Sequence, residues 1–224
     1  MAETLSLRAK IEQSPMGAYQ WMIVAMAAIM NLLDGFDVLA LAFTATAIRN
    51  EFGLTRIELG YLLSAGLFGM AAGSLFLAPL ADKIGRRPLL LMAVLLSTIG
   101  MLGSAFISQY QWLGFWRVIT GLGVGGILVG TNVITSEYSS RKWRSFAISV
   151  YAAGFGVGAV LGGMFAVMLQ GEYGWRSVFL AGAILTGLLL VVLFIWLPES
   201  IDFLTSKQPK NAEVRLNLIA KKIG

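Results

Sequence analysis

The chain has 224 residues, of which 57% are hydrophobic and 13% are charged, and its mean hydropathy is +0.76. Soluble domains carry about a quarter charged residues, so this composition indicates a membrane protein and excludes an ordinary water-soluble fold. The chain contains no Cys and no His, which excludes disulfide frameworks, thiolate metal sites, Ser-His hydrolases and histidine-ligated haem. We therefore expect no enzyme, no metal site and no cofactor.

Six apolar stretches are long enough to cross a bilayer, for which a helix needs about 20 residues. The first, Tyr19 to Ile48, is interrupted only by Asp34 and Asp37. The other five are Gly60–Ala81, Pro88–Gln111, Val118–Ser136, Ser145–Gly171 and Ser177–Pro198. Thr55 and Glu58 have the spacing of a capping box at the start of the second helix.

These stretches predict an all-α membrane protein with three regions along the chain. Residues 1–18 are expected to be an N-terminal segment, and residues 19–198 a domain of six transmembrane helices. Residues 199–224 are expected to begin a linker. Within it, Asn211–Ile223 is expected to form a short amphipathic helix that has basic residues along its rim.

Lys and Arg are distributed unequally between the two sides of the predicted bundle. One side carries Arg8, Lys10, Lys83, Arg86, Arg87, Arg141, Lys142, Arg144, Lys207, Lys210, Arg215, Lys221 and Lys222, and the other carries only Arg49, Arg56 and Arg176. The positive-inside rule therefore predicts a multi-pass protein of the cell (inner) membrane with both termini in the cytoplasm. Because the bases lie between apolar runs, the net charge of +5 does not indicate a nucleic-acid partner.

A weak internal repeat relates the first three helices to the last three. With a shift of about 89 residues, Gly69, Gly73, Phe76, Leu80, Gly85 and Arg87 fall on Gly158, Gly162, Phe165, Leu169, Gly174 and Arg176. Because three is odd, the second triplet must be inverted relative to the first, which is a common arrangement in transporters. The alternative is a chance match among residues that are frequent in membranes.

Glycines one helical turn apart are expected to bring helices into close contact. We assign this packing role to Gly121, Gly125, Gly154, Gly158 and Gly162. Static packing explains such pairs as well as sliding helices do.

Asp34 and Asp37 lie near the middle of the first helix, three residues apart and hence on one face. A carboxylate at that depth costs roughly 2.5–3.5 kcal/mol, and burial and mutual repulsion both disfavour a doubly ionised pair. We therefore expect one carboxyl group to hold a proton reversibly. The alternative is a pair that caps local backbone around Gly35.

Arg117 is predicted a turn or two inside the outer end of the fourth helix. Its guanidinium offers a fork of donors suited to a carboxylate, whether of a substrate or of an aspartate. The alternative is a side chain that snorkels to the outer surface.

Mixed charge at the inner ends of the second and fourth helices predicts a cytoplasmic gate. The tight loop Asp82–Pro88 mixes an acid with bases, and Glu137 lies near further bases, so a network of ion pairs could hold this side closed. The gate comprises Asp82, Gly85, Arg86, Arg87, Glu137, Arg141 and Arg144. The alternative is plain positive-inside charge.

Several of these segments resemble motifs of the major facilitator superfamily. They are the loop Asp82–Arg87, Arg117 with Gly121, Gly123 and Gly125, the run Gly154–Gly163, and Leu197-Pro198-Glu199-Ser200 with Phe203-Leu204. Asp34-Gly35-Phe36-Asp37 resembles the DGxD signature of that superfamily's aromatic acid:proton symporters. Ala159 replaces the Pro that is usual in antiporters, which favours symport.

The resemblance implies a proton-coupled secondary transporter that works by alternating access in the lipid bilayer, driven by the proton gradient. Asp34, Asp37 and Arg117 would serve a proton and a small organic anion, here an aromatic acid. The family has twelve helices in two halves, so this chain would be an N-terminal half that cannot transport without a C-terminal six-helix half. Alternatives are a transporter of sugars or other neutral solutes, and a receptor or scaffold that moves nothing.

Overall fold

The computed structural model describes residues 11–12, 15–209 and 212–223. Most of the predicted N-terminal segment lies outside these residues, as do Arg8, Lys10 and Lys210, three of the bases that supported the predicted orientation. The assignment of residues 1–18 and 199–224 to flanking regions stays a prediction.

Six long helices make up the bundle, and each is long and apolar enough to cross a membrane. They are α1 (Ala18–Phe52), α2 (Arg56–Ile84), α3 (Arg86–Ala105), α4 (Tyr110–Tyr138), α5 (Arg144–Tyr173) and α6 (Arg176–Trp196). Two short helices follow, α7 (Ile201–Lys207) and α8 (Ala212–Ile223). The prediction of an all-α, six-helix membrane protein is confirmed. We call the end that carries the α2–α3 and α4–α5 connections the basic end.

The helix boundaries differ from the prediction between α3 and α4. The apolar stretch Pro88–Gln111 runs past the end of α3, which lies at Ala105, and α4 begins at Tyr110, so that Arg117 lies about two turns inside α4. The intervening turn is uncharged and buries Ile107, so the apolar stretch gave no sign of it. The predicted capping box is present at the start of α2. The Thr55 side chain accepts from the backbone N–H of Glu58, and the Glu58 side chain accepts from the backbone N–H of Thr55.

Helix packing follows the inverted repeat. Helix α1 packs along α5 as α2 packs along α4, while α3 lies against α6. Gly85 and Gly174, which the repeat equates, both have positive φ, of 104° and 76°. The arginine two residues after each donates to a carbonyl of another helix end, Arg87 to Phe194 (2.6 Å) and Arg176 to Ile107 (3.2 Å). These equivalences confirm the two inverted three-helix repeats.

The five predicted packing glycines lie at helix crossings. A Cβ at Gly121 or Gly125 would collide with the backbone of α2, and one at Gly154 or Gly158 with the backbone of α1. At Gly162 it would meet the ring of Phe36. The close crossings leave the apolar segments of α1 and α4 mostly buried, whereas most residues in those of α2 and α5 are not buried.

Candidate functional site

The three charged residues predicted for the site lie inside the bundle. Asp34, Asp37 and Arg117 are 1%, 0% and 3% exposed. They face neither the outer surface of the bundle nor one of its ends. The guanidinium of Arg117 therefore does not snorkel to the surface.

The side chain of Asp37, on α1, lies against α3 and α6. Its Oδ2 accepts a hydrogen bond of 2.8 Å from the hydroxyl of Ser97 on α3. On α6, a Cβ added at Gly182 would lie 3.1 Å from Oδ1, so the absence of a side chain there gives the carboxyl group room. Oδ1 itself is buried and has no hydrogen-bond partner among the residues that the structure describes.

Arg117 contacts the main chain of α1 rather than an aspartate side chain. Its Nη2 donates to the carbonyl oxygens of Asp37 (2.7 Å) and Val38 (3.3 Å), and its Nη1 lies 3.4 Å from Sδ of Met101. In the described part of the chain no ion pair joins Arg117 to a carboxylate. The geometry explains this, because helix carbonyls point toward the C-terminal end, whereas side chains tilt toward the N-terminal end.

Of the three side chains, Asp34 has the fewest hydrogen-bond partners among the described residues. No described residue donates a hydrogen bond to its carboxyl group, and Oδ2 is fully buried without a partner. The backbone-capping alternative is not supported, because neither aspartate side chain accepts from a described backbone N–H. Gly35 instead allows contact with α5, where a Cβ would collide with the carbonyl of Phe155.

A small cavity of about 20 Å³ borders Arg117, at the seam between α1, α2 and α4. This is about the volume that one water molecule needs. Val38, Gly66 and Thr120 are among its lining residues. The Nε of Arg117 is buried and has no hydrogen-bond partner within the described ranges, and a Cβ at Gly66 would lie 3.8 Å from it.

In the described part of the chain, the ion pairs that the predicted gate residues form at the basic end are separate from one another. Asp82 and Arg86 make an ion pair of 2.6 Å, with the Asp82 side chain 65% exposed. Arg144 pairs instead with Glu12 at 3.4 Å, and Arg141 is exposed.

Glu137 accepts from the N-terminal end of α7. It receives hydrogen bonds of 2.8 Å from the Ser200 hydroxyl and from the backbone N–H of Ile201. A carboxyl group at this position accepts from donors that a helix start leaves unpaired. Glu137 therefore caps α7, a helix that the sequence did not predict.

Glu199 holds the start of α3, a contact that the sequence analysis missed. Its Oε1 accepts from the backbone N–H groups of Arg86 (2.8 Å), Arg87 (3.0 Å) and Ser200 (2.9 Å). A Cβ at Gly85 would collide with this carboxylate. The sequence feature that could have indicated this contact is an acidic residue, Glu199, directly after Pro198 at the end of α6.

Comparisons with known proteins agree on one family. The family model described as Major Facilitator Superfamily matches residues 27–220. The chain is 35% identical over 218 residues to the 4-hydroxybenzoate transporter PcaK of Pseudomonas putida, an alignment that covers 97% of this chain and 49% of that protein. It is 36% identical over 204 residues to the gallate transporter of Pseudomonas putida, covering 91% of this chain and 45% of that protein.

The fold is also similar to that of a solved transporter. A partially occluded inward-open structure of the xylose transporter XylE from E. coli superposes with a TM-score of 0.80 at 22% identity, covering 90% of this chain and 55% of that one. The chain thus spans about half the length of the curated relatives it matches.

Proposed function

The chain belongs to the major facilitator superfamily, and on that premise we propose that it is the N-terminal half of a proton-coupled symporter for an aromatic acid. The observation that carries the proposal is a pair of buried carboxyl groups, Asp34 and Asp37, that receive one hydrogen bond between them from the described residues. A buried charge without partners is costly. The names of the relatives, transporters of 4-hydroxybenzoate and gallate, favour an aromatic acid as the substrate.

The acid pair can gain and lose one proton, because few contacts from the described residues hold the pair in either state. With Arg117 charged, one ionised aspartate leaves the cluster neutral, and a second ionised aspartate leaves it with a net charge of −1. Moving the bundle between outward-open and inward-open states costs less when the buried cluster is neutral. Proton uptake and release at this pair would therefore be coupled to the movement of the substrate.

Arg117 is the proposed site for the substrate carboxylate. Two of its nitrogens already contact α1 and Met101, but Nε has no partner among the described residues, and Arg117 borders the small cavity beside Gly66. A carboxylate that entered along the α1–α2 seam would meet that N–H. The cavity is too small for an aromatic acid, so α2 would have to move away from α1 for binding.

A second six-helix half would complete the transporter. Helices α2 and α5 expose large apolar side chains, among them Phe68 and Met168, at 73% and 72%. In the proposed assembly the second half covers part of this surface. The basic end would be cytoplasmic, and Asp82, Arg86, Glu137 and Arg144 would belong to its gate.

Uptake measurements test the proposal. Proteoliposomes that contain both halves should accumulate labelled 4-hydroxybenzoate when the outside is more acidic, and benzoate-like acids should compete while sugars should not. Liposomes that contain only the 224-residue chain should accumulate none.

The Asp34→Asn variant of the two-half protein should lose pH-dependent uptake, because the substituted side chain cannot exchange a proton. Glu172→Gln is the matched control, since Glu172 is an exposed acid near the end of α5. Uptake by Asp34→Asn with unchanged proton coupling would refute the role of the pair.

A further inference from the structure

We propose that the two aspartates are not equivalent: Asp37 remains ionised, held by Ser97, while Asp34 is the carboxyl group that binds and releases the proton. Ser97 is then a positioning residue of proton coupling. The transport consequence rests on the proposed function, but the difference in protonation is a property of the chain itself.

The hydrogen bonds around the two carboxyl groups are unequal. The Ser97 hydroxyl donates to Asp37 at 2.8 Å, and the Arg117 guanidinium lies 2.7 Å from the main-chain carbonyl of the same residue. Asp34 receives no hydrogen bond from the described residues, and its Oδ2 is buried. A donor stabilises the ionised form of the group that accepts from it, so the negative charge is favoured on Asp37.

The charge balance of the membrane interior allows one ionised aspartate. The other charged residues of the six long helices lie within a few residues of a helix end: Arg49 and Glu51 on α1, Arg56, Glu58, Asp82 and Lys83 on α2, Arg86 and Arg87 on α3, Glu137 on α4, Arg144 and Glu172 on α5, and Arg176 on α6. Arg117 on α4 is therefore the charge that faces the pair. One positive and one negative group make the cluster neutral, and the remaining aspartate holds a proton.

Ser97 differs from the other small hydroxyl residues of its helix. Thr98 and Ser104 each donate 2.8 Å bonds to the carbonyl four residues earlier, Val94 and Gly100, which is the common local choice for such side chains. Ser97 donates across helices to Asp37 instead. It is also held from behind, since a Cβ at Gly123 of α4 would collide with its backbone. The hydroxyl is thus directed at the carboxyl group by the packing of three helices.

Infrared spectroscopy of the 224-residue chain in lipid nanodiscs tests the assignment directly. The wild-type chain should show the C=O stretch of a protonated carboxyl group at neutral pH, and Asp34→Asn should lose that band. Persistence of the full band in Asp34→Asn would overturn the proposal. Circular dichroism of each variant checks that the helices are retained.

Ser97→Ala tests the role of the hydroxyl. Without its donor, Asp37 should bind a proton about tenfold more tightly, so a second protonated-carboxyl band should appear about one pH unit higher than in the wild type. Ser97→Thr should restore the wild-type titration. Ser104→Ala is the matched control, a buried serine of the same helix that bonds its own helix, and it should change nothing. An unchanged titration in Ser97→Ala would overturn the proposal.

Transport separates this inference from the proposed function. As the pH is lowered, the Ser97→Ala variant of the two-half protein should begin to lose uptake at a pH about one unit higher than the wild type does. The Ser97→Thr variant should lose uptake at the same pH as the wild type. If the wild-type protein shows no proton-driven uptake, the proposed function fails while the spectroscopic assignment stands. If uptake is proton-driven but its pH profile is unmoved in Ser97→Ala, the inference fails alone.

Discussion

The acids in the middle of the bundle and the acids at the basic end are partnered very differently. Glu199 accepts three backbone N–H groups and Glu137 accepts a hydroxyl and a backbone N–H at 2.8 Å. Asp37 accepts one hydroxyl and Asp34 accepts none from the described residues. The difference separates two uses of a carboxyl group. Several donors tie a carboxyl group to helix ends and make it structural, whereas Asp34, which has no donor among the described residues, is left free to exchange a proton.

The largest expected effect is on the stability of Glu199→Ala. Because three N–H groups lose a charged acceptor, we expect the free energy of unfolding to fall by about 3 kcal/mol. Unfolding of the purified chain in mixed micelles, followed by circular dichroism, measures it. Glu172→Ala at an exposed position is the control and should stay near the wild type. Equal stability of the two variants would contradict a structural role for Glu199.

Gly85→Ala should cost about 2 kcal/mol in the same assay. An alanine at φ 104° is strained, and its Cβ would displace the Glu199 carboxylate from the start of α3. Gly156→Ala is the matched control, because nothing lies within 4 Å of a Cβ there. That variant should be more stable than the wild type by up to about 1 kcal/mol. A Gly85→Ala variant as stable as Gly156→Ala would show that the loop adapts freely.

The smallest effect is expected for Asp34→Ala. This variant loses no hydrogen bond from a described residue, so its free energy of unfolding should change by less than about 1 kcal/mol although the residue is buried. Measured beside Glu199→Ala, it tests the comparison in one experiment. If both substitutions destabilise the chain equally, the number of partners does not separate the two kinds of acid.

The fold was largely predictable from the sequence, because the length of an apolar helix is a local property. The break between α3 and α4 was not, since its residues are as uncharged as the helices beside it. Helix α7 was missed for another reason. Its start depends on Glu137, which lies 64 residues before Ile201 in the chain.

The site was predictable in its charged members and not in its neutral one. Asp34, Asp37 and Arg117 stand out because charges in an apolar stretch are rare. Ser97 has no such signal, since in sequence it looks like Ser104, and only packing decides which acceptor each hydroxyl meets. The contact of Arg117 with the main chain of α1 was also not predictable, because spacing along α1 does not tell whether a distant guanidinium meets a side chain or a carbonyl.

Glu199 and Ser200 are neighbours in the chain, yet they are fastened to different helices. Glu199 holds the first turn of α3, and Ser200 donates to Glu137 near the last turn of α4. Two adjacent residues thus connect α3 of the first repeat to α4 of the second. A displacement of the segment after α6 would therefore act on α3 and α4 together. We expect the two repeats to move together at this end rather than independently.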